Sequence, residues 1–515
     1  MFRAILTAIG LTYFSAPAIA QCPDGTPPPC RRAASQPRPR VMDSLGVAVL
    51  YLSDLARDTG SVAIADGLTE ELIATLSRVR GLHPSSRHAA ARFRGARVPD
   101  PRRIGRELGV RYVVDGTVRR SGGRLRVVLT MTDVAAGFNV WGGTFDRPIE
   151  EIYSIQDSVA VQVAEAILGT RLSQSERANL GHAAPPSNVD AYQAYLRGRV
   201  AIRGRTARSA SRAIRHYREA LRLDPRFAPA WAALAHAYAL ARVWSWDLDD
   251  VPQDSIQPLA LLAAERAVAL DSSAAESWLA AAMAERARDV YRALELNRRA
   301  AMMDSANVEV IHQLAWGFLG TGELDSAISF ERLAIARDPF YAYAYAGLAE
   351  MLIIAGRPEE ALEVFAQGAV VDSTLAPLYW QRADAELRLG RHRQALEALE
   401  RAERLGFDPL GARILRAIAL VRSGDTAAAR ARLPEIERAL LVDSARARGG
   451  LAFTSAGLLS GLFAQLGDLA GSLRWARSVE ERPRRFYAVI FARHWLWEPV
   501  QREPLFQQFL SDLRR

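Results

Sequence analysis

The side chains best equipped for chemistry in this chain are few and scattered. Among its eight histidines, His236 and His312 fall on predicted helices, but neither has a second histidine or an acid at ligand spacing. No H-E-x-x-H, G-x-S-x-G, paired C-x-x-C or glycine-rich phosphate loop occurs. All 66 basic residues are arginine. A P-loop sets a lysine on the phosphates and a protein kinase needs its strand lysine, so neither can be built here in standard form. Acids paired with arginine offer one site: Asp66, Glu70, Asp115 and Arg119, near predicted strand ends, would suit a small ligand or a partner. The structural reading of the same stretches is preferred. There Gly67 and Gly116 permit tight turns, and Asp66 and Asp115 cap or order them. Most other carboxylates fall at helix ends, where caps and solvated faces explain them. The pattern predicts no enzyme, no catalytic residue, no cofactor and no metal.

The two cysteines, Cys22 and Cys30, lie in "CPDGTPPPC". In an exported chain they would close a small disulfide loop; two exposed thiols in a disordered tail are the alternative. Export is expected from residues 1–20. Arg3 supplies the charge, Ala4 to Phe14 the apolar run and Ala18-Ile19-Ala20 the small-residue cleavage site, giving a periplasmic or secreted protein cut after Ala20. The run is shorter than the ~20 apolar residues of a membrane span, and no later stretch reaches that length, so no transmembrane segment is expected in the mature chain. The net charge of +9 raises nucleic acid as a partner. The arginines are dispersed among acids, with no long basic block beyond Arg31 to Arg40, so none is expected.

The elements behind these residues divide the chain of 515 residues into parts. Residues 21–42 form a Pro-rich disordered linker. From 43 to 171, strand and helix signals alternate. "VAVLYL" (47–52) reads as a buried strand and Leu68 to Val79 as an amphipathic helix after Asp66-Gly67. Asp100-Pro101 caps a short helix ending before Gly109, and "RYVVDGTVRR" is the partner strand. Two period-two runs flank "VAAG" as a hairpin. Glu150 to Leu168 closes the unit as a helix, with Ile152, Ile155, Val159, Val163 and Ile167 on one face.

"ADGLTEELI" (65–73), "IGRELGVRYVVDGTVRRSGGRLRV" (104–127), Trp141 with Phe145 to Arg147, and "IQD" (155–157) resemble the TolB-type amino-terminal domain, found also in the FlgO-like envelope family. The resemblance covers about a quarter of the chain. It implies a small mixed α/β domain of a kind that bacteria couple to tetratricopeptide repeats, often downstream of a class III cyclase or a CadC-like DNA-binding domain.

After a linker at 172–190, strand signals vanish and a period of 34 appears. It is carried by Gly322, Gly356, Gly390 and Gly424, by Ala315, Ala349, Ala383 and Ala417, and by Ala327, Ala361, Ala395 and Ala429. This is the tetratricopeptide period. Each repeat is a helical hairpin whose glycine ends the first helix in a left-handed conformation. Its alanines let helices cross closely. About eight units fill 191–486, the second carrying the insertion "VWSWDLDDVPQDSIQP", and 487–515 caps the last apolar face. The fold class expected is α+β: a small mixed α/β TolB-N-like domain followed by an all-α tetratricopeptide-repeat superhelix, an α-solenoid.

Stacked first helices line the concave side of such a superhelix, a groove suited to a protein or peptide partner. By register the groove should carry Tyr195, His236, His312, Trp316, Tyr343, Glu350, Trp380 and Asp384; packing of Trp316 and Trp380 between repeats is the alternative. The Lys, Arg and Asn clamp with which chaperone-tail-binding relatives hold a carboxylate is absent. The insertion, with Trp244, Trp246, Asp247, Asp249 and Asp250, is a second candidate surface. The function expected is a non-enzymatic envelope scaffold. The alternatives are a sensor component of a cyclase- or CadC-like system with its effector on another chain, and an enzymatic or small-ligand activity of the α/β domain.

Overall fold

A computed structural model describes residues 42–514 apart from 55–58, 95–99, 181–187, 245, 408, 443–454 and 479–483. The leader, Cys22, Cys30 and nearly all of the Pro-rich linker lie outside the described residues.

The amino-terminal unit is built on strands β1 (Asp43–Val49), β2 (Ser53–Asp54), β3 (His83–Pro84), β4 (Val110–Ser121), β5 (Arg124–Asp133) and β6 (Phe138–Pro148). They form one sheet in the order β3-β1-β4-β5-β6, with β2 also on β4. β1 runs parallel to β3 and β4, and β4, β5 and β6 are antiparallel. Parallel neighbours need crossovers, which α1 (Thr59–Ser77), α2 (Arg87–Ala91) and α3 (Pro101–Leu108) supply. Asp100 accepts a hydrogen bond from the Arg102 N–H, and Gly109 ends α3 at φ 72°, as its sequence signals dictate. The long helix α4 (Ile152–Leu168) buries its predicted apolar face.

Two glycines do a different job from the one expected. Gly67 is inside α1, which begins well before the apolar-periodic residues, and Asp66 is helical with it. A Cβ on Gly67 would stand 2.3 Å from Leu196 Cδ2, so glycine there lets α1 approach the first array helix. Gly116 lies within β4, where a Cβ would meet the Val128 carbonyl oxygen at 2.1 Å. The first strand also stops at Val49, before the expected Leu52.

A short helix α5 (Gln174–Leu180) leads to the array. Its helices come in antiparallel pairs. The first three pairs are α6 (Val189–Ile202) with α7 (Ala207–Leu223), α8 (Ala228–Val243) with α9 (Gln253–Leu270), and α10 (Ala275–Glu285) with α11 (Val290–Met303). Next come α12 (Val308–Thr321) with α13 (Leu324–Arg337), α14 (Ala342–Ile354) with α15 (Pro358–Val371), and α16 (Ala376–Arg388) with α17 (His392–Arg404). The last two are α18 (Pro409–Arg422) with α19 (Thr426–Val442), and α20 (Ser455–Gln465) with α21 (Leu469–Arg477). Gly322, Gly356, Gly390 and Gly424 all have positive φ, and every alanine of both ladders is at most 1% exposed. Close helix crossing is therefore what the ladders encode.

The chain ends in α22 (Arg484–Arg493), a 3-10 turn at Trp495–Trp497 and α23 (Pro504–Arg514). This cap buries Phe491, Trp495, Trp497 and Phe506 almost completely. The superhelix curls back on itself: α22 touches α12, and the Trp244 and Phe407 rings meet at 5.8 Å. One core joins the α/β unit to the first two pairs and α10, and a second joins the later pairs to the cap. Among the described residues no helix is long and apolar enough to cross a membrane.

Candidate functional site

The first helices line the inside of the superhelix, and the chain itself fills both ends of that space. At the amino-terminal end α1 lies against α6. Arg203 Nη1 donates to Asp66 Oδ2 at 2.9 Å, and Arg94 also pairs with Asp66. Arg199 and Arg203 both pair with Glu70, which also accepts the Tyr51 hydroxyl at 2.9 Å. Burial opposes charge on Glu70, but Arg199, Arg203 and Arg87 outweigh it and bring its pKa down to about 2. Tyr195 belongs to this contact, packed edge-on to Phe227 at 5.2 Å and beneath Arg199.

Further along, α2 meets the start of α12 and the turn before α14. Arg87 Nη2 is 2.9 Å from Glu309 Oε1, and His88 Nδ1 is 2.8 Å from Asp338 Oδ2. Arg92 lies 4.8 Å above the Phe340 ring. His236 faces Glu309, Arg205 and Arg87. Burial, assisted by the two arginines and opposed by Glu309, pushes its pKa down to about 4, so the imidazole is neutral at pH 7. Tyr343 is half-buried under the Arg205 guanidinium, 4.4 Å from its ring centre.

The middle of the groove gathers His312, Trp316 and Glu350. His312 Nδ1 lies 3.0 Å from Glu331 Oε2. Gly347 makes room for that carboxylate, since a Cβ there would fall 2.2 Å from Glu331 Oε1. Arg286 lies 5.6 Å above Trp316. Glu350 accepts from Gln381 Nε2 at 2.9 Å. Burial, with Asp384 and Glu331 close by, raises its pKa to about 8. The Oε1 atoms of Glu350 and Gln381 are buried without a hydrogen-bond donor among the described residues.

At the far end the cap closes the groove. Asp384 accepts from Trp495 Nε1 at 2.8 Å and lies 3.0 Å from His494 Nε2. Trp380 packs on Phe407 at 5.1 Å. Of the eight residues expected to line the groove, Tyr195 thus serves the domain contact and Asp384 the cap contact. His312, Trp316, Glu350 and Trp380 are buried, while His236 and Tyr343 keep partial exposure. The insertion folds onto the repeat before it: Arg215 Nη1 is 2.9 Å from Asp249 Oδ2, and Trp246 packs against the first core. Asp115 is taken by the Thr130 hydroxyl, and Arg119 stands opposite Arg126 in the β4–β5 ladder. Among the described residues no group of three or more His, Cys, Asp or Glu could hold a metal ion. Arg205 and Arg87 escaped the sequence reading, because the turn after α6 puts Arg205 where the later turns put their ladder glycine, and Arg87 meets the array only through contacts far apart in sequence.

A tetratricopeptide-repeat family model matches residues 376–405, the α16–α17 pair. The α16–α17 pair thus matches a tetratricopeptide repeat, and helical hairpins are stacked on either side of it. It is 33% identical over 254 residues to "Putative adenylate cyclase 3" of Rhizobium meliloti (strain 1021), a match covering 49% of this chain and 42% of that protein. The chain therefore spans less than half the length of that curated relative. Solved structures similar in part include a tetratricopeptide repeat protein from Parabacteroides merdae, at 15% identity over 53% of this chain and 97% of that one, with a TM-score of 0.37. Pseudomonas aeruginosa pilF is similar at 17% identity over 41% of this chain and 90% of its own, with a TM-score of 0.33. YrrB, a repeat protein with an unusual peptide-binding site, is similar at 18% identity over 40% of this chain and 95% of its own, with a TM-score of 0.26.

Proposed function

We propose that this chain is a non-catalytic scaffold whose helical array offers its concave face to a protein or peptide partner in the bacterial cell envelope. The observation that carries the reading is the stack of helical hairpins in register, with its inner face left partly open between the α/β unit and the cap. His236 and Tyr343, which keep partial exposure, stand in that stretch; an aromatic side chain such as Tyr343 suits an interface anchor. The α/β unit, read as a TolB-type domain, forms one wall of the stretch through α1 and α2. Export rests on the leader at residues 1–20. Many arginines are engaged by acids, which favours a protein partner over nucleic acid.

A photo-crosslinking residue at Tyr343 tests this in cells. An adduct with a defined protein is expected at Tyr343 and in the envelope fraction, and none at Val370, which is 80% exposed on a second helix. Equal labelling at both positions, or none at either, would sink the reading. The alternative, a regulatory component of a cyclase- or CadC-like signalling system, draws its support from the cyclase-named relative. It predicts that the captured protein is a nucleotide cyclase or a DNA-binding regulator.

A further inference from the structure

Five turns inside the helix pairs place a glycine two residues before the second helix: Gly322, Gly356, Gly390, Gly424 and Gly467, with φ between 72° and 94°. In the first pair that position is Arg205, at φ 47°, the one non-glycine residue with positive φ among those described. The left-handed region crowds a Cβ against the backbone and is costly for an L-residue that is not glycine. Gly204 is next door and does not take the position. Strain retained where the fold itself would take glycine points to a task for the side chain.

That side chain reaches the inside of the superhelix. Its guanidinium stacks over Tyr343 and makes no hydrogen bond or ion pair to a described residue. Burial works against its charge, but Tyr343, Tyr341 and Glu309 more than compensate and hold its pKa above the ordinary value. The result is a partly buried cation whose N–H donors find no acceptor among the described residues. Around it stand Arg87, Glu309 and His236. Burial opposes charge on Glu309, and Arg87, His236 and Arg205 outweigh it, holding the carboxyl well below the usual range. His236 is neutral at pH 7. Arg205 and Arg87 face Glu309 here, and Glu70, which also acts on Arg87, is already shared by Arg199 and Arg203, so one positive charge is left over. The place is reachable from solvent, the Arg87 side chain being 37% exposed and that of Glu309 17%.

We infer that Arg205, with Arg87, His236 and Tyr343, forms an oxyanion site at the junction of the α/β unit and the array, taking the phosphate or carboxylate group of a small acidic molecule. The planar fork of Arg205 supplies paired N–H donors to two oxygens. Arg87 adds a second positive charge from the other domain, and the Tyr343 ring fixes the plane of the fork. The inference does not rest on the scaffold reading; a chain with no protein partner would still bind the anion.

Arg205→Gly separates this role from a purely structural one, because glycine is what five of the seven other turns carry. Full-length protein is titrated with inorganic phosphate, with citrate, and with chloride at matched ionic strength. Thermal melting and the His236 ring resonances are followed. For the wild type, phosphate or citrate is expected to raise the melting midpoint and move the His236 signals beyond any chloride effect; whichever of the two acts names the source of the oxyanion. Arg205→Gly is expected to melt no lower than the wild type without ligand and to bind the anion at least tenfold more weakly. Responses no larger than with chloride, or an unchanged anion response in Arg205→Gly, would overturn the site. A lowered midpoint with the anion response intact would reduce Arg205 to a clamp on Tyr343.

Discussion

At the scale of single residues, Glu350 meets the environment least suited to its charge. Its carboxyl is buried on α14, near Asp384 and Glu331, and keeps a proton up to about pH 8, against an ordinary value of 4.5. Between those values the folded chain holds a proton that the unfolded chain has released. Stability must therefore fall as pH rises through that window. Glu350→Gln removes the titration, and its amide can donate to the orphaned Oε1 of Gln381. The variant is expected to match the wild type near pH 4.5 and to exceed it by about 1–3 kcal/mol at pH 8. Denaturant midpoints at the two pH values check this; a difference independent of pH would refute it. The sequence revealed Glu350 as an inward position by register alone. Its electrostatics were not legible, because they depend on Glu331 and Asp384 from neighbouring repeats. Gly67 shows the same limit: Asp66-Gly67 looks like a turn locally, and only the distant Leu196 explains a glycine inside a helix.

At the scale of elements, helix ends were legible wherever the signal is local. Asp100, Pro101 and Gly109 bound α3 through a side-chain cap, a fixed φ and a left-handed stop, none of which needs tertiary contact. The glycine and alanine ladders worked for the same reason, repeated at four successive hairpins. The role of the cap was only half legible: its aromatic residues announced a covered apolar face, but not that it reaches back to α16. Asp384 makes that link, through Trp495 and His494, of which His494 is wholly buried. Asp384→Ala strands a buried indole N–H and an imidazole, at an expected cost of about 3 kcal/mol. The loss should be concentrated in the cap. Hydrogen exchange is expected to quicken across α22 and the Trp495–Trp497 turn while α6 to α9 keep their protection. Uniform loss along the whole array would show that Asp384 does not anchor the cap.

At the scale of the whole molecule, the decisive feature is that the α/β unit, the first two helix pairs and α10 share one hydrophobic core. Nothing in the period of the repeats foretells this, since the joining contacts link residues far apart in sequence, as Glu70 with Arg199 and Asp66 with Arg203. Glu70 is the centre of that joint. Its carboxylate compensates Arg199 and Arg203 out of water, and Arg87 lies close enough to feel it. Removing one member of a buried ionic cluster leaves the others uncompensated, a loss of about 3–5 kcal/mol. Glu70→Ala is expected to lower stability by that order. Because the core is continuous, the damage cannot stay in the domain that carries the mutation. Exchange protection should fall together in β1, β4, α6 and α7, while α16 to α21, which belong to the second core, remain protected. If β1 and β4 lost protection while α6 and α7 kept theirs, the two units would be separate domains in contact, and the α/β unit could not serve as a fixed wall of the groove.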